Sequence, residues 1–422
     1  MKSQKFIFLF MAVFSFSSCI INVDNIPDSE VFKSFEPLEW SDDYVFLPTD
    51  LPQQIQVWNS KTKKLVYTYE LLKEMKVYGK SFERALSIND MVVIDKDIWL
   101  SGSGVNNNLL KINVPTGQVK YINQKDYIYS MSINKSWENC SGCLWGMNYC
   151  QPNDGFSIWQ YDLNGNFLSE KKIKYRGLCI SPLKFINYID DEYYILGSFD
   201  WAINNYRTNK EEYFKIIKIN EKVVNSFPLN IILTEEVLND LKYNFNDFSC
   251  SLTPFKTSNN EYLELSLIGD TNENIYSARF IFKITNWTSS KIEVEYTGIN
   301  YQNEESRAIC TVSENEENIF LTGRVLYGNN FTGLETGVYS KATGKELYRM
   351  RMENSNQLHC EIKDDKTWFP QDVNLQDQNL KRYSIPKGCY MLDHKTGKTY
   401  WYDENGNGKE IERISVVAQL PY

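Results

Sequence analysis

Seven positions share one spacing and carry side chains suited to gripping a charged ligand. Arg84, Tyr127, Arg176, Asp247, Arg307, Gln357 and Glu412 each stand three residues ahead of a small Ser or Cys, at Ser87, Ser130, Cys179, Cys250, Cys310, Cys360 and Ser415. Around three of them the agreement extends further, in RALSINDM, RGLCISPL and RAICTVSE. Guanidiniums facing one opening would hold a carboxylate, a phosphate or an acidic sugar through paired hydrogen bonds. The competing reading is that each Arg pairs with Asp247, Glu412 or a loop carbonyl and only braces the fold.

Other chemistry is thinner. The run DENGNG at 403–408 places oxygen side chains at the first, third and fifth places of a calcium-type loop, with Gly sixth. Its twelfth place, which a bidentate acid should fill, is Ile414, and Asn-Gly pairs are ordinary turn formers, so a turn is expected there. Two His, His359 and His394, are too few for a His-rich metal site or a His relay. Cys140, Cys143 and Cys150 could close a short surface loop by a disulfide, and a Cys-x-x-Cys pair without a second pair is weak ground for zinc or redox chemistry. The reading assigns no catalytic residue, no metal ligand and no cofactor.

The shared spacing implies a repeated unit. Intervals between the Ser or Cys anchors run from 43 residues (87 to 130) to 71 (179 to 250). Each anchor opens a strand, an apolar run ending in Gly follows in several units (IWLSG, YYILG, IFLTG), and a hairpin closes the unit. The hairpins LLKINVPTGQVKYI, IWQYDLNGNFLSEKKI, TGVYSKATGKELYRM and CYMLDHKTGKTYWYD alternate apolar and polar residues on both sides of a short turn, and IQVWNSKTKKLVYTY is a fifth copy near the front. With Tyr 28, Phe 23 and Trp 10, the chain favours strands. These features predict an all-β fold, a single β-propeller of about seven four-stranded blades, with counts of six or eight left open. Residues 413–417 read as a first strand without a blade, and 44–71 as a blade without a first strand. Joining them would close the ring with one strand from each terminus. A short inserted helix is expected within 230–245, with Thr234 as its N-cap.

The stretch from Asp393 to Trp401, DHKTGKTYW, resembles the Asp-x-x-Thr-Gly-x-x-x-Trp signature of quinoprotein-type propellers. Weaker copies hold Thr116-Gly117 and Thr343-Gly344. The resemblance covers the hairpins and implies that the Thr-Gly turn links outer strands while Trp401, Tyr348 and Tyr121 dock between blades. That superfamily includes quinone-dependent dehydrogenases and a cofactor-free scaffold of outer-membrane protein assembly. This chain has no adjacent Cys-Cys pair and only 21 Gly in 422 residues, which disfavours quinone-dependent oxidation.

At the front, Lys2 and Lys5 precede an apolar run over 6–14 and then Phe16-Ser17-Ser18-Cys19. This has the form of a secretory signal and is too short to span a bilayer. Phe16-Ser17-Ser18-Cys19 resembles the lipobox of bacterial lipoproteins, which implies removal of a signal peptide 1–18 and lipidation of Cys19. A linker over 19–42 and a propeller over 43–422 would follow. In the family's sorting rule, Ile20 in place of Asp points to the outer membrane. The balance of 45 basic and 54 acidic residues, net −9, argues against a nucleic-acid partner. The expectation is therefore a lipid-anchored envelope propeller that binds a protein, peptide or glycan at the loop-rich end of its channel. It would touch the membrane only through its lipid. The rivals are a carbohydrate-active hydrolase, for which Asp247 and Glu412 would have to supply paired carboxylates, and an assembly scaffold.

Overall fold

The computed structural model describes residues 31–32, 35–49, 54–71, 87–103, 109–122, 130–134, 143–147, 156–173, 178–180, 187–189, 192–199, 214–219, 224–228, 248–257, 259–270, 275–288, 291–303, 308–327, 330–353, 360–371 and 388–415. Apart from the single helical residue Leu71, every element among them is a strand, and the strands assemble into seven antiparallel sheets, numbered here in chain order. Sheet 1 comprises Tyr44–Thr49, Gln54–Asn59 and Leu65–Glu70. Sheet 2 spans 87–122, with Val31–Phe32 added at its far edge. Sheets 3, 4 and 5 span 130–173, 178–228 and 248–303. Sheet 6 spans 308–353 and sheet 7 spans 361–410. The fold is all-β, as the alternation predicted. The helix expected within 230–245 lies outside the described residues.

The anchors mark where sheets begin. Ser87 and Ser130 are the first residues of the opening strands of sheets 2 and 3. Cys179, Cys250 and Cys310 lie in the opening strands of sheets 4, 5 and 6, and Cys360 immediately precedes Glu361–Lys363 of sheet 7.

Strand alternation explains how the sheets pack. Successive side chains point to opposite faces, and here both faces are buried against neighbouring sheets. In Gly388–Asp393 of sheet 7, Cys389 and Met391 pack with Val45, Leu47 and Trp58 of sheet 1, whereas Tyr390 and Leu392 pack with Phe320, Val338 and Met350 of sheet 6. In sheet 1, Phe46, Ile55 and Val57 turn the other way, onto Ile98, Leu100 and Ile112 of sheet 2. Trp99 of sheet 2 meets Trp159 and Tyr161 of sheet 3. Ile319 and Leu321 of sheet 6 meet Phe255, Tyr262 and Ile281 of sheet 5. Central strands therefore read as continuous apolar runs. Each fully buried large side chain stabilises by roughly 1.5–3 kcal/mol.

The turns form a second level of docking. In Asn113-Val-Pro-Thr-Gly117, Ser340-Lys-Ala-Thr-Gly344 and Asp393-His-Lys-Thr-Gly397 the glycine has φ of 68°, 67° and 62°, and its N–H bonds back to the carbonyl of the first residue at 2.8, 2.8 and 2.9 Å. A Cβ on Gly117 would stand 2.0 Å from the Phe35 carbonyl oxygen, and one on Gly344 would stand 2.5 Å from Gly298. Glycine is therefore required by both conformation and space. The same turn in sheet 1 is Asn59-Ser-Lys-Thr-Lys63, with Lys63 at φ 63°. Its ammonium lies 4.9 Å from the centre of the Trp368 ring in sheet 7, a cation–π contact that offsets the left-handed cost. Trp401 and Tyr348 both pack in the junction of sheets 6 and 7, and the Tyr348 hydroxyl donates to the Gly397 carbonyl at 3.1 Å; the Tyr121 side chain lies outside the described ones.

The expected closure by a shared terminal strand is overturned. Arg413–Ser415 does not join sheet 1; it pairs with Glu346–Glu353 at the far edge of sheet 6, in the register Tyr348↔Ser415. The Arg413 guanidinium stacks 4.3 Å over the Tyr348 ring there. The free edge of Tyr44–Thr49 has little left for a strand to bond. Tyr44 N–H donates to the Ser41 carbonyl at 3.1 Å, Phe46 N–H donates to the Glu361 carboxylate, and Pro48 has no N–H. Sheet 7 meets sheet 1 instead through side chains and through one turn contact, Leu65 N–H to the Glu404 carbonyl at 3.1 Å. Within the segment expected as a linker, Val31–Phe32 pairs with Val119–Ile122. Phe35 and Leu38 donate to the Gly117 and Val114 carbonyls at 2.7 and 3.1 Å, so packed structure begins upstream of residue 43.

Candidate functional site

Of the sequence-derived ligand positions, Arg84, Tyr127, Arg176, Asp247, Arg307 and Gln357 lie outside the described residues, as does Cys19. Glu412 is described and exposed. It leads into Arg413–Ser415 at the far edge of sheet 6, so it is not next to the opening strand of a sheet.

The calcium-type loop is a turn. Asp403 Oδ1 accepts from the backbone N–H groups of Asn405 and Asn407 at 2.9 and 2.8 Å, and Oδ2 accepts from the Asn407 side chain at 2.8 Å. The loop Asp162-Leu-Asn-Gly-Asn166 repeats this pattern at 2.9, 2.7 and 2.7 Å. Both carboxylates are engaged by their own loops, and these bonds hold the carboxyls below the usual range, against burial in the case of Asp162. His394 is buried, its Nε2 is 2.8 Å from the Thr367 hydroxyl, and burial pulls it down to about 4, so it is a neutral core residue.

A polar cleft of about 570 Å³ opens beside sheet 5, where the turn after Phe248–Lys256 meets the end of Ile275–Thr288. It is lined by Lys256, Thr257, Asn259, Asn260, Glu261, Lys283, Ile284, Thr285 and Asn286. Beneath it Glu314, fully buried at the end of Ala308–Glu314, ties the cleft to sheet 6. Both oxygens of its carboxylate accept from the Asn260 side-chain nitrogen, at 2.8 and 2.9 Å, and the group also accepts from the Tyr262 hydroxyl at 2.7 Å, from the Thr257 hydroxyl and from the Lys341 ammonium at 2.6 Å. Burial alone would raise the Glu314 carboxyl, but these donors outweigh it and hold the group ionised below the usual range. Burial and the bond to Glu314 push the Tyr262 phenol up. Thr257 and Asn260 are thus fixed in place before any ligand arrives.

Hydroxyls and primary amides both donate and accept, which suits a ligand bearing many hydroxyls. Among the described residues Glu261 is the one carboxylate lining the cleft, and it pairs with Lys256 at 3.2 Å. The two facing carboxylates of a glycoside hydrolase are therefore not among the described lining residues. Elsewhere in sheets 5 and 6 buried carboxylates are met by arginines: Glu264 by Arg279, and Glu335 by both Arg349 and Arg351 at 3.3 Å each. These arginines brace the fold. Sequence reading missed the cleft because its lining comes from two segments some 25 residues apart, with Glu314 a further stretch away. Its one local signal is the polar stretch Thr257-Ser-Asn-Asn260.

No family model and no curated protein matches the chain. Solved structures resemble it over most of its length at low identity. The computationally designed Ika8 protein is 9% identical with a TM-score of 0.39, covering 92% of this chain and 97% of its own. The Nup133 β-propeller domain of Vanderwaltozyma polyspora is 12% identical with a TM-score of 0.35, covering 92% and 100%. A xylan β-1,4-xylosidase from Bacillus halodurans is 11% identical with a TM-score of 0.33, covering 92% and 90%. At scores this low the likenesses carry no argument.

Proposed function

We propose that the protein is a seven-bladed propeller of the bacterial envelope, anchored by lipid at Cys19, that binds a glycan. The order of sheet contacts supports the ring: each junction with visible packing joins sheets consecutive in the chain, except that sheet 7 packs back on sheet 1. The observation that carries the binding role is the amide- and hydroxyl-lined cleft, with Thr257 and Asn260 locked by Glu314.

Binding of the purified protein to an array of bacterial and host glycans, with unstructured peptides as the comparison, tests this reading. Wild type is expected to retain one glycan class that Asn259→Ala with Asn286→Ala, both lining the cleft and both exposed, releases, while folding is unchanged. Capture of no glycan, or equal capture by the variant, contradicts it. For the anchor, labelling of cells with radioactive palmitate is expected to mark the wild type and not Cys19→Ser; equal labelling of both removes it.

A further inference from the structure

Two lysines line the cleft beside sheet 5, and their charges are met differently. The Lys256 ammonium pairs with Glu261 at 3.2 Å. Lys283, half-buried, lies toward the end of Ile275–Thr288, in the register Tyr262↔Lys283↔Glu295 across three strands. Directly opposed residues share a face of a sheet, so Lys283 stands on the face that carries Tyr262, whose hydroxyl bonds Glu314 in the cleft floor. The carboxylates in its neighbourhood are taken or do not reach it. Glu261 holds Lys256, Glu314 is filled by Asn260, Tyr262, Thr257 and Lys341, and Glu293 accepts from the Asn286 amide at 3.4 Å. Glu295 is exposed and, although opposite Lys283, forms no ion pair with it. Among the described residues no carboxylate pairs with the Lys283 ammonium.

The described lining therefore holds two ammoniums against one carboxylate, in a chain whose net charge is −9. Covering an unpaired ammonium with a neutral sugar removes water from a charge and returns only neutral hydrogen bonds. An acid group on the sugar supplies the missing anion, and the negative surface elsewhere would turn the same group away. We propose that the ligand of this cleft is an acidic glycan, with a singly charged carboxylate or sulfate on one sugar set against Lys283 and the sugar hydroxyls set against Thr257, Asn259 and Asn286. This inference rests on the glycan reading above and names the class of glycan. A lysine ammonium is a compact charge with three rotatable donors, so it takes a planar carboxylate or a tetrahedral sulfate equally well. Glu293 and Glu295 on the next strand make the rim unfavourable for a densely charged anion such as a polyphosphate.

The test uses the full chain and an array on which each acidic oligosaccharide is printed beside its neutral form: uronates beside their methyl esters, sulfated galactans beside the desulfated chains. Wild type is expected to bind the acidic member of the retained pair about fivefold more tightly at low salt, the upper end for a partly exposed charge pair. That preference is expected to fade as salt is raised to about 0.5 M, where screening acts over only a few ångströms. Lys283→Met is expected to bind both members of the pair alike, and Lys283→Arg to keep the preference. A retained uronate or a retained sulfate each supports the proposal and identifies the acid group. Equal binding of acidic and neutral members by wild type, or a preference that survives in Lys283→Met, overturns the acidic assignment and leaves the glycan reading standing. Retention of no glycan at all removes both. The ester, desulfation and salt comparisons are made on wild type, so they decide even if Lys283→Met fails to fold.

Discussion

Glu314 shows how one residue can decide the energetics of a junction. Its carboxylate is removed from water entirely, a cost repaid only because Asn260, Tyr262, Thr257 and Lys341 all donate to it. Replacing it by Ala would leave a buried phenol, a hydroxyl, an amide and an ammonium without their acceptor. Glu314→Ala is expected to destabilise by about 3–5 kcal/mol, the range for breaking a buried charge pair from one side, read from denaturant midpoints. A change within about 0.5 kcal/mol, typical of surface positions, would mean the cleft floor is not held as described. Nothing near Glu314 in the sequence announces this role. The run Ser313-Glu-Asn-Glu-Glu-Asn318 reads as a solvated turn, and Asn260, Tyr262 and Thr257 reach it from more than 50 positions away.

The hairpins were the legible elements. Alternation on both sides of a Thr-Gly turn is local information, and the structure places strands and left-handed turns where it points. The anchors likewise found the sheet openings, because a small residue at the start of each opening strand recurs whatever the loops do. Where the closing strand goes depends on something nonlocal: which sheet edge still has N–H groups to share. Tyr44–Thr49 has its donors engaged or absent, and Glu346–Glu353 accepted Arg413–Ser415 instead. Residues 31–38 were equally illegible, since their docking depends on the Gly117 turn approaching Phe35. Gly117→Ala is therefore expected to cost more than the roughly 1 kcal/mol of a left-handed Ala alone, because the methyl also displaces the Phe35 backbone. Limited proteolysis should then cut within 31–40 in the variant before wild type. Equal cleavage rates would contradict the docking.

For the whole molecule, the arrangement turns on the seam. Sheets 1 and 7 are separated by some 300 residues of chain, and they share a core of Val45, Leu47, Trp58, Trp368, Cys389 and Met391. Because these two sheets meet through side chains, parting them would cost apolar contact and a few polar bonds and spare the strand ladders. The most direct measurement is the distance between spin labels placed by unnatural amino acids at Lys61 and Lys395, exposed turn residues of sheets 1 and 7. A circular series predicts one narrow, short-distance population, and a broad or long distribution would contradict it.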